Sequence, residues 1–366
     1  MNDARHTVEA AVKEPHDAGA LDQAAALGMD ALPPLAELLT KDQPIEMAER
    51  CEAVLKSVLA GLFAAPLPGP DARRVASFQQ QIGLLFKYKS YAVKAASPLG
   101  YAVFLQNPGQ GFSFQEHITH KVEVFHILQP HPGGFVFLCS LDEWNAAYEP
   151  DAFNAWLRGA PDARYERFRH PARPGDVFVI DRLRTVHTVM GCALEEFATV
   201  STDMVNRLHD QNQGAAMPDF FTRDWTQERL LEIEPPESRR EVLFGNRGAG
   251  ELMIHPQRIR GGQVSRMACG AIRISWYGVS AGERTGLFGA QSAALSLFVT
   301  AGRGRIFLCD LEEARAAQPP ALDVKKGDLL MVPPFAAYGF ESAPGEPLQV
   351  SEHRLPHEVA FVTERQ

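Results

Sequence analysis

Residues 111–128 gather Gln115, His117, His120, Lys121, Glu123 and His126 within one short stretch of chain. Side chains alternate across a strand with a period of two, so Gln115 and His117 share a face of any strand running through 112–117. If a returning strand turns Glu123 to that face, an imidazole nitrogen, a carboxylate oxygen and an amide oxygen converge on one point. A divalent metal site is the chemistry such a convergence serves. A slip of one residue in the register would exchange Gln115 for His120 as third ligand. The competing reading is a polar edge hairpin that happens to carry histidines.

The elements that must position these residues read mainly as strands. Alternating runs at 112–117 and 122–128, separated by a short polar break, predict a tight pair of strands. Further β-like runs follow at 101–105, 135–138, 177–181 and 198–201, and again at 272–277, 294–300, 305–309, 329–332 and 349–351, punctuated by Gly and Pro. Short strands at such spacing suggest a sandwich or barrel. Helical spacing of apolar residues marks 21–39 and 44–64, where Cys51, Val54, Leu55, Val58, Leu59 and Leu62 line one stripe. Residues 1–20 read as a mobile lead rich in Ala and charge. The segment 141–158 reads as one inserted helix, and 206–242 as a polar connector with one or two helices.

The two β-rich stretches echo one another. Phe137-Leu138-Cys139-Ser140-Leu141-Asp142-Glu143 answers Phe307-Leu308-Cys309-Asp310-Leu311-Glu312-Glu313, and Pro174-Gly175-Asp176-Val177 answers Lys326-Gly327-Asp328-Leu329 in the same order. A duplicated barrel explains both the echo and the length of 366 residues. The copies differ chemically. Where the first has Gln115, His117 and Glu123, the second has 287–297 with Gln291 but no His, Asp or Glu, and Tyr338 answers His187. The second copy is therefore expected to bind no metal.

A hydrophobic content of 45% with 22% charged residues describes a globular chain, and a net charge of -9 argues against nucleic acid as the main partner. Five widely spaced cysteines without a Cys-x-x-Cys pair suit reduced thiols. Neither a signal-like apolar run nor a stretch of membrane-spanning length is present. A cytoplasmic protein without membrane association is the expectation, and a homo-oligomer is left open.

A histidine-bearing strand followed by a Pro-Gly-Asp turn that leads to His187 resembles the cupin fold. Within the cupins the chain is similar to the phosphomannose isomerases, through Ser113-Phe114-Gln115-Glu116-His117, His120-Lys121-Val122-Glu123, His187, and Glu196 followed by Ser201-Thr202-Asp203, Arg207 and Asp210. The resemblance covers 85–215, and the second barrel by architecture alone. It implies a mainly β fold, a double-stranded β-helix (cupin or jelly roll) duplicated as a bicupin behind an N-terminal α-helical segment. The expected division is 1–84 helical, 85–215 metal-binding barrel, 216–242 connector, and 243–366 a degenerate barrel without metal ligands. The resemblance further implies Gln115, His117, Glu123 and His187 as ligands of Zn2+, or alternatively of Fe2+ or another divalent metal. Lys121 and Arg207 would be catalytic pocket residues and Ser113 a substrate contact.

The activity so implied is aldose–ketose isomerisation of a sugar or sugar phosphate. The short connection between His117 and Lys121 differs from the family's usual long one and leaves the sugar's identity open. Two other classes remain. Two histidines and a carboxylate are also the usual facial set of an iron-dependent dioxygenase. A non-catalytic sugar-binding or regulatory cupin is the third. His126 and His120 read equally as packing or surface histidines, Lys121 as half of a solvated ion pair with Glu123, and Arg207 as a structural partner of Asp203 or Asp210.

Overall fold

The computed structural model describes residues 2–40, 45–89, 92–119, 121–199, 205–211, 223–234, 236, 240–244, 252–290 and 292–356. His120, Ser201-Thr202-Asp203 and Gln291 lie outside them. The helices Asn2–Lys13, Ala18–Ala26, Leu32–Leu39, Ile45–Leu62 and Gly69–Ile82 come first. The lead expected to be mobile is instead helical, because Val8, Ala11 and Val12 fall on one helical face and are buried in the same core as Val54, Leu55 and Val58. Gly69–Ile82 is clamped to the second barrel. The Arg73 guanidinium meets both Glu313 carboxylate oxygens at 2.7 and 2.9 Å, and Gly69 N–H donates to Asp310 at 3.0 Å.

Two long antiparallel strands organise the first barrel. Glu123–Ser140 pairs with Thr185–Ala198 along nearly its whole length, and both bend in the middle, where the register shifts between Ile127 and Phe135. Gly191 takes φ +63 at the bend of its strand, a backbone region that suits glycine. Both halves of each strand contribute to one core. Apolar residues fill it, among them Phe104, Phe112, Phe125, Ile127, Leu138, Phe178 and Val189. Of the strand expected at 198–201, Ala198 closes Thr185–Ala198, Thr199 lies beyond it, and 200–201 fall outside the described residues; the runs at 122–128 and 135–138 belong largely to one strand, Glu123–Ser140.

The predicted tight pair between 112–117 and 122–128 does not form. Phe114–His117 pairs instead with Thr185–Ala198, at Gln115↔His187, and with Val205–His209. The inserted helix is two, Leu141–Ala147 and Pro150–Leu157, because Pro150 cannot continue the first and is well placed to open the second. Their aromatic residues Trp144, Phe153 and Trp156 cover Phe114 and Phe137 on the barrel's outer side. The connector carries the helix Arg223–Glu232, and Arg240–Phe244 then joins the first sheet in parallel with Val177–Ile180.

The second barrel is built of a six-stranded and a four-stranded sheet. Its register reproduces that of the first: Leu138↔His187 answers Leu308↔Tyr338, and Glu123↔Ile180 answers Leu295↔Val332. The turns repeat as well. Gly175 and Gly327 share φ +89 and +90, and the non-glycine residues Arg184 and Phe335 share φ +60 and +65. The chain is a mainly β bicupin behind a helical segment. Among the described residues no helix is long and apolar enough to cross a membrane.

Candidate metal centre

The strand register brings together residues far apart in sequence. Gln115 and His117 come from the edge strand Phe114–His117, Glu123 from the start of Glu123–Ser140, and His187 from the start of Thr185–Ala198. His117, Glu123 and His187 are all buried, and their ligand atoms lie within 4.8 Å of one another. Among the described residues this is the one such group of His, Cys, Asp and Glu.

Glu123 is the hub. Its Oε2 lies 3.0 Å from His117 Nε2 and 3.2 Å from His187 Nε2, while Lys121 Nζ donates to Oε1 at 2.5 Å. Burial pushes the carboxyl toward the neutral form, but the Lys121 ammonium and the two imidazoles outweigh it and hold Glu123 well below the usual carboxylate range. His187 Nδ1–H donates to the Thr185 carbonyl at 2.9 Å, which fixes the ring and turns Nε2 toward the Glu123 carboxylate.

The spacing suits a metal cation. Ligand atoms each about 2.1 Å from one ion at roughly 90–110° stand about 3.0–3.4 Å apart, and both imidazole-to-carboxylate distances fall in that range. The Gln115 amide nitrogen lies 3.3 Å from His187 Nε2, and a half-turn of the amide puts its oxygen there. The barrel wall below is apolar, with the Phe125 ring 6.2 Å from that of His187.

The remaining expected site residues are placed less uniformly. Lys121 is not a solvated ion pair: its side chain is 19% exposed, and it lies 3.9 Å from Glu196, a second buried carboxylate. Arg207 stands opposite Gln115 in the register and hence on the ligand face, with its guanidinium half-exposed and 3.9 Å from Asp210. Ser113 is buried, and its hydroxyl has no hydrogen-bond partner among the described residues. Glu116, on the strand's other face, is buried against Asn206 and Arg184.

The duplicated register supplies an internal comparison. Tyr338 stands where His187 does, Leu295 where Glu123 does, and Phe288, paired with Tyr338, where Gln115 does. In place of a ligand set the second barrel buries Glu352, which accepts hydrogen bonds from Ser275, Tyr277 and Tyr338 and lies 3.3 Å from the Arg354 guanidinium.

The chain has a duplicated, two-barrel β fold with a metal-type cluster in its first barrel. No family model and no curated protein matches the sequence. Among solved structures the chain is similar to an oxalate decarboxylase studied for a reaction specificity switch, at 12% identity over 75% of each chain and a TM-score of 0.45. It is similar to oxalate decarboxylase from Bacillus subtilis at 13% identity, over 75% of this chain and 74% of that one, with a TM-score of 0.45. Vicilin from Corylus avellana, the hazelnut, gives 12% identity over 75% of this chain and 84% of that one, with a TM-score of 0.44.

Proposed function

We propose that the chain is a metal-dependent aldose–ketose isomerase acting on a sugar or sugar phosphate. The observation that carries this reading is the Glu123 carboxylate, with His117 and His187 at one oxygen and Lys121 at the other. His117, His187 and Glu123, with the amide oxygen of Gln115, would hold a divalent ion, zinc in the first instance. Such an ion supplies Lewis-acid polarisation of a carbonyl and its neighbouring hydroxyl.

The chain's own groups do the rest. Lys121 holds Oε1 of Glu123 and presents an ammonium at the edge of the site. Arg207, beside Gln115 on the same face, offers a planar cation to an enediolate oxygen or to a substrate phosphate. Ser113 is the proposed further substrate contact. The apolar floor excludes water from the reacting carbons and strengthens every charge interaction above it.

A second reading has its own observation in favour: two histidines and one carboxylate match the iron facial set of cupin dioxygenases. The polar neighbours Gln115, Lys121, Glu196 and Arg207 weigh toward the isomerase. An assay on a panel of free and phosphorylated aldoses, with oxygen uptake followed in parallel, separates the readings. Oxygen-independent ketose formation with bound zinc is expected. Iron with oxygen consumption transfers the assignment to a dioxygenase, and saturable sugar binding without turnover to a binding protein.

A further inference from the structure

The seam between the barrels holds an ionisable cluster on the far side of the strands that carry the metal centre. His126 follows Glu123 by three residues and so points to the opposite face of the same strand, where it pairs with Glu195 in the register. Its Nδ1 lies 2.6 Å from Glu195 Oε2, and the Tyr101 hydroxyl donates to Oε1 at 2.7 Å. Ser351, reaching across from the second barrel, adds a further hydrogen bond to the same carboxylate. Both His126 and Glu195 are at most 1% exposed. Both residues line a cavity of about 80 Å3 with walls from both barrels.

Packing alone does not account for this arrangement. Taking a carboxylate and an imidazole out of water is costly, and an apolar pair of similar volume is usually as stable or more so. The duplicated register displays such an alternative, since the positions equivalent to His126 and Glu195 are Phe298 and Ser351. The carboxylate, committed to three donors, acts as an orienting group that fixes the imidazole and aims Nε2 away from itself. The Trp276 ring stands 5.1 Å from the imidazole, and Ser265, Gln263 and Gln349 line the same cavity. These are neutral donors and acceptors beside an aromatic face. That chemistry recognises hydroxyl groups on a short carbon chain better than it does an ion.

We propose that this seam cavity is a binding site for a small neutral polyol of about the size of glycerol, separate from the metal centre and bridging the two barrels. A polar cavity left to itself holds water, so the test asks for saturable exchange. Glycerol and erythritol are the probes; neither has a carbonyl, so neither can be isomerised. Each is titrated against the full chain while the fluorescence of Trp276 is followed. The expected result is a saturable change that is lost in Trp276→Phe and unaltered by prior treatment with a chelator. The double variant His126→Phe/Glu195→Ser installs the second barrel's own pair and should weaken binding at least tenfold. Gln263→Leu, at an exposed lining position, should weaken it severalfold without touching the buried dyad, and covers the case in which the double variant does not fold. A linear or absent response in the wild type overturns the proposal. So does undiminished binding in Gln263→Leu together with a folded double variant, which would place the polyol elsewhere.

Discussion

The two oxygens of Glu123 face different partners, and this asymmetry is what the residue scale contributes. Oε2 lies toward both imidazoles and Oε1 toward the Lys121 ammonium. A fixed cation beside a ligand carboxylate disfavours a second cation on it, in proportion to proximity and low local dielectric. Lys121→Met is therefore expected to tighten divalent-metal binding by about tenfold, ~1.4 kcal/mol, while lowering turnover in the proposed isomerisation. Competition against a chromogenic chelator measures the first effect. Weaker metal binding in the variant would mean that Lys121 chiefly holds the carboxylate in position. Much of this site was legible in the sequence, because residue type and order alone pair Gln115 with His117 and single out Glu123. The His126–Glu195 dyad was not. His126 reads as packing until the fold brings up a partner sixty-nine residues away, and no local spacing signals it.

At the scale of elements, the position of Phe114–His117 matters most, and it is set by close backbone approach rather than by a hairpin turn. Gly111 bridges to Met190, and a Cβ there would meet the Val189 carbonyl oxygen at 2.2 Å. That oxygen belongs to the backbone of the strand that carries His187, so it cannot move aside cheaply. Gly111→Ala should destabilise the protein by roughly 1–3 kcal/mol and shift Gln115 and His117 away from His187. A thermal melt and a metal determination on the same sample read both effects. An unchanged melting temperature with full metal content would show that the edge strand is held by other contacts. The sequence foretold the strand, since alternation is a local property. It did not foretell the strand's partners, because Val205–His209 and Thr185–Ala198 reach it only after the long strands have bent. Pro150, visible from the start, could have divided the inserted helix correctly.

Two barrels, each with its own interior, and a helical segment meet in one shared apolar cluster. Tyr101, Phe197, Trp276 and Phe298 meet across the seam, and Ser97 and Ser296 share a hydrogen bond at 2.7 Å. His353 of the second barrel is buried there, with Nε2 3.1 Å from the Ala198 carbonyl of the first. Burial pushes this imidazole down to about 3, from 6.5 for an exposed histidine. Below pH 6.5 the unfolded chain takes up a proton that the folded one refuses, so stability rises with pH across this range. The contribution of His353 is fully present above pH 6.5 and is lost progressively as the pH falls toward 3. Urea unfolding at a series of pH values should therefore show a shallower acid loss in His353→Phe than in the wild type, by up to a few kcal/mol at the acid end. Parallel curves would mean that the seam's acid sensitivity lies in its carboxylates. The duplication itself was legible from two short echoes, whereas the burial of the first helix was hidden by its alanine- and charge-rich composition.

In the proposed site the first barrel holds a metal through His117, His187 and Glu123. Elemental analysis of the purified full chain, wild type beside Glu123→Ala, tests it most directly. The expected result is one divalent ion per chain in the wild type and none in a variant that still folds. No bound metal in the wild type, or the same metal content in both proteins, would contradict it.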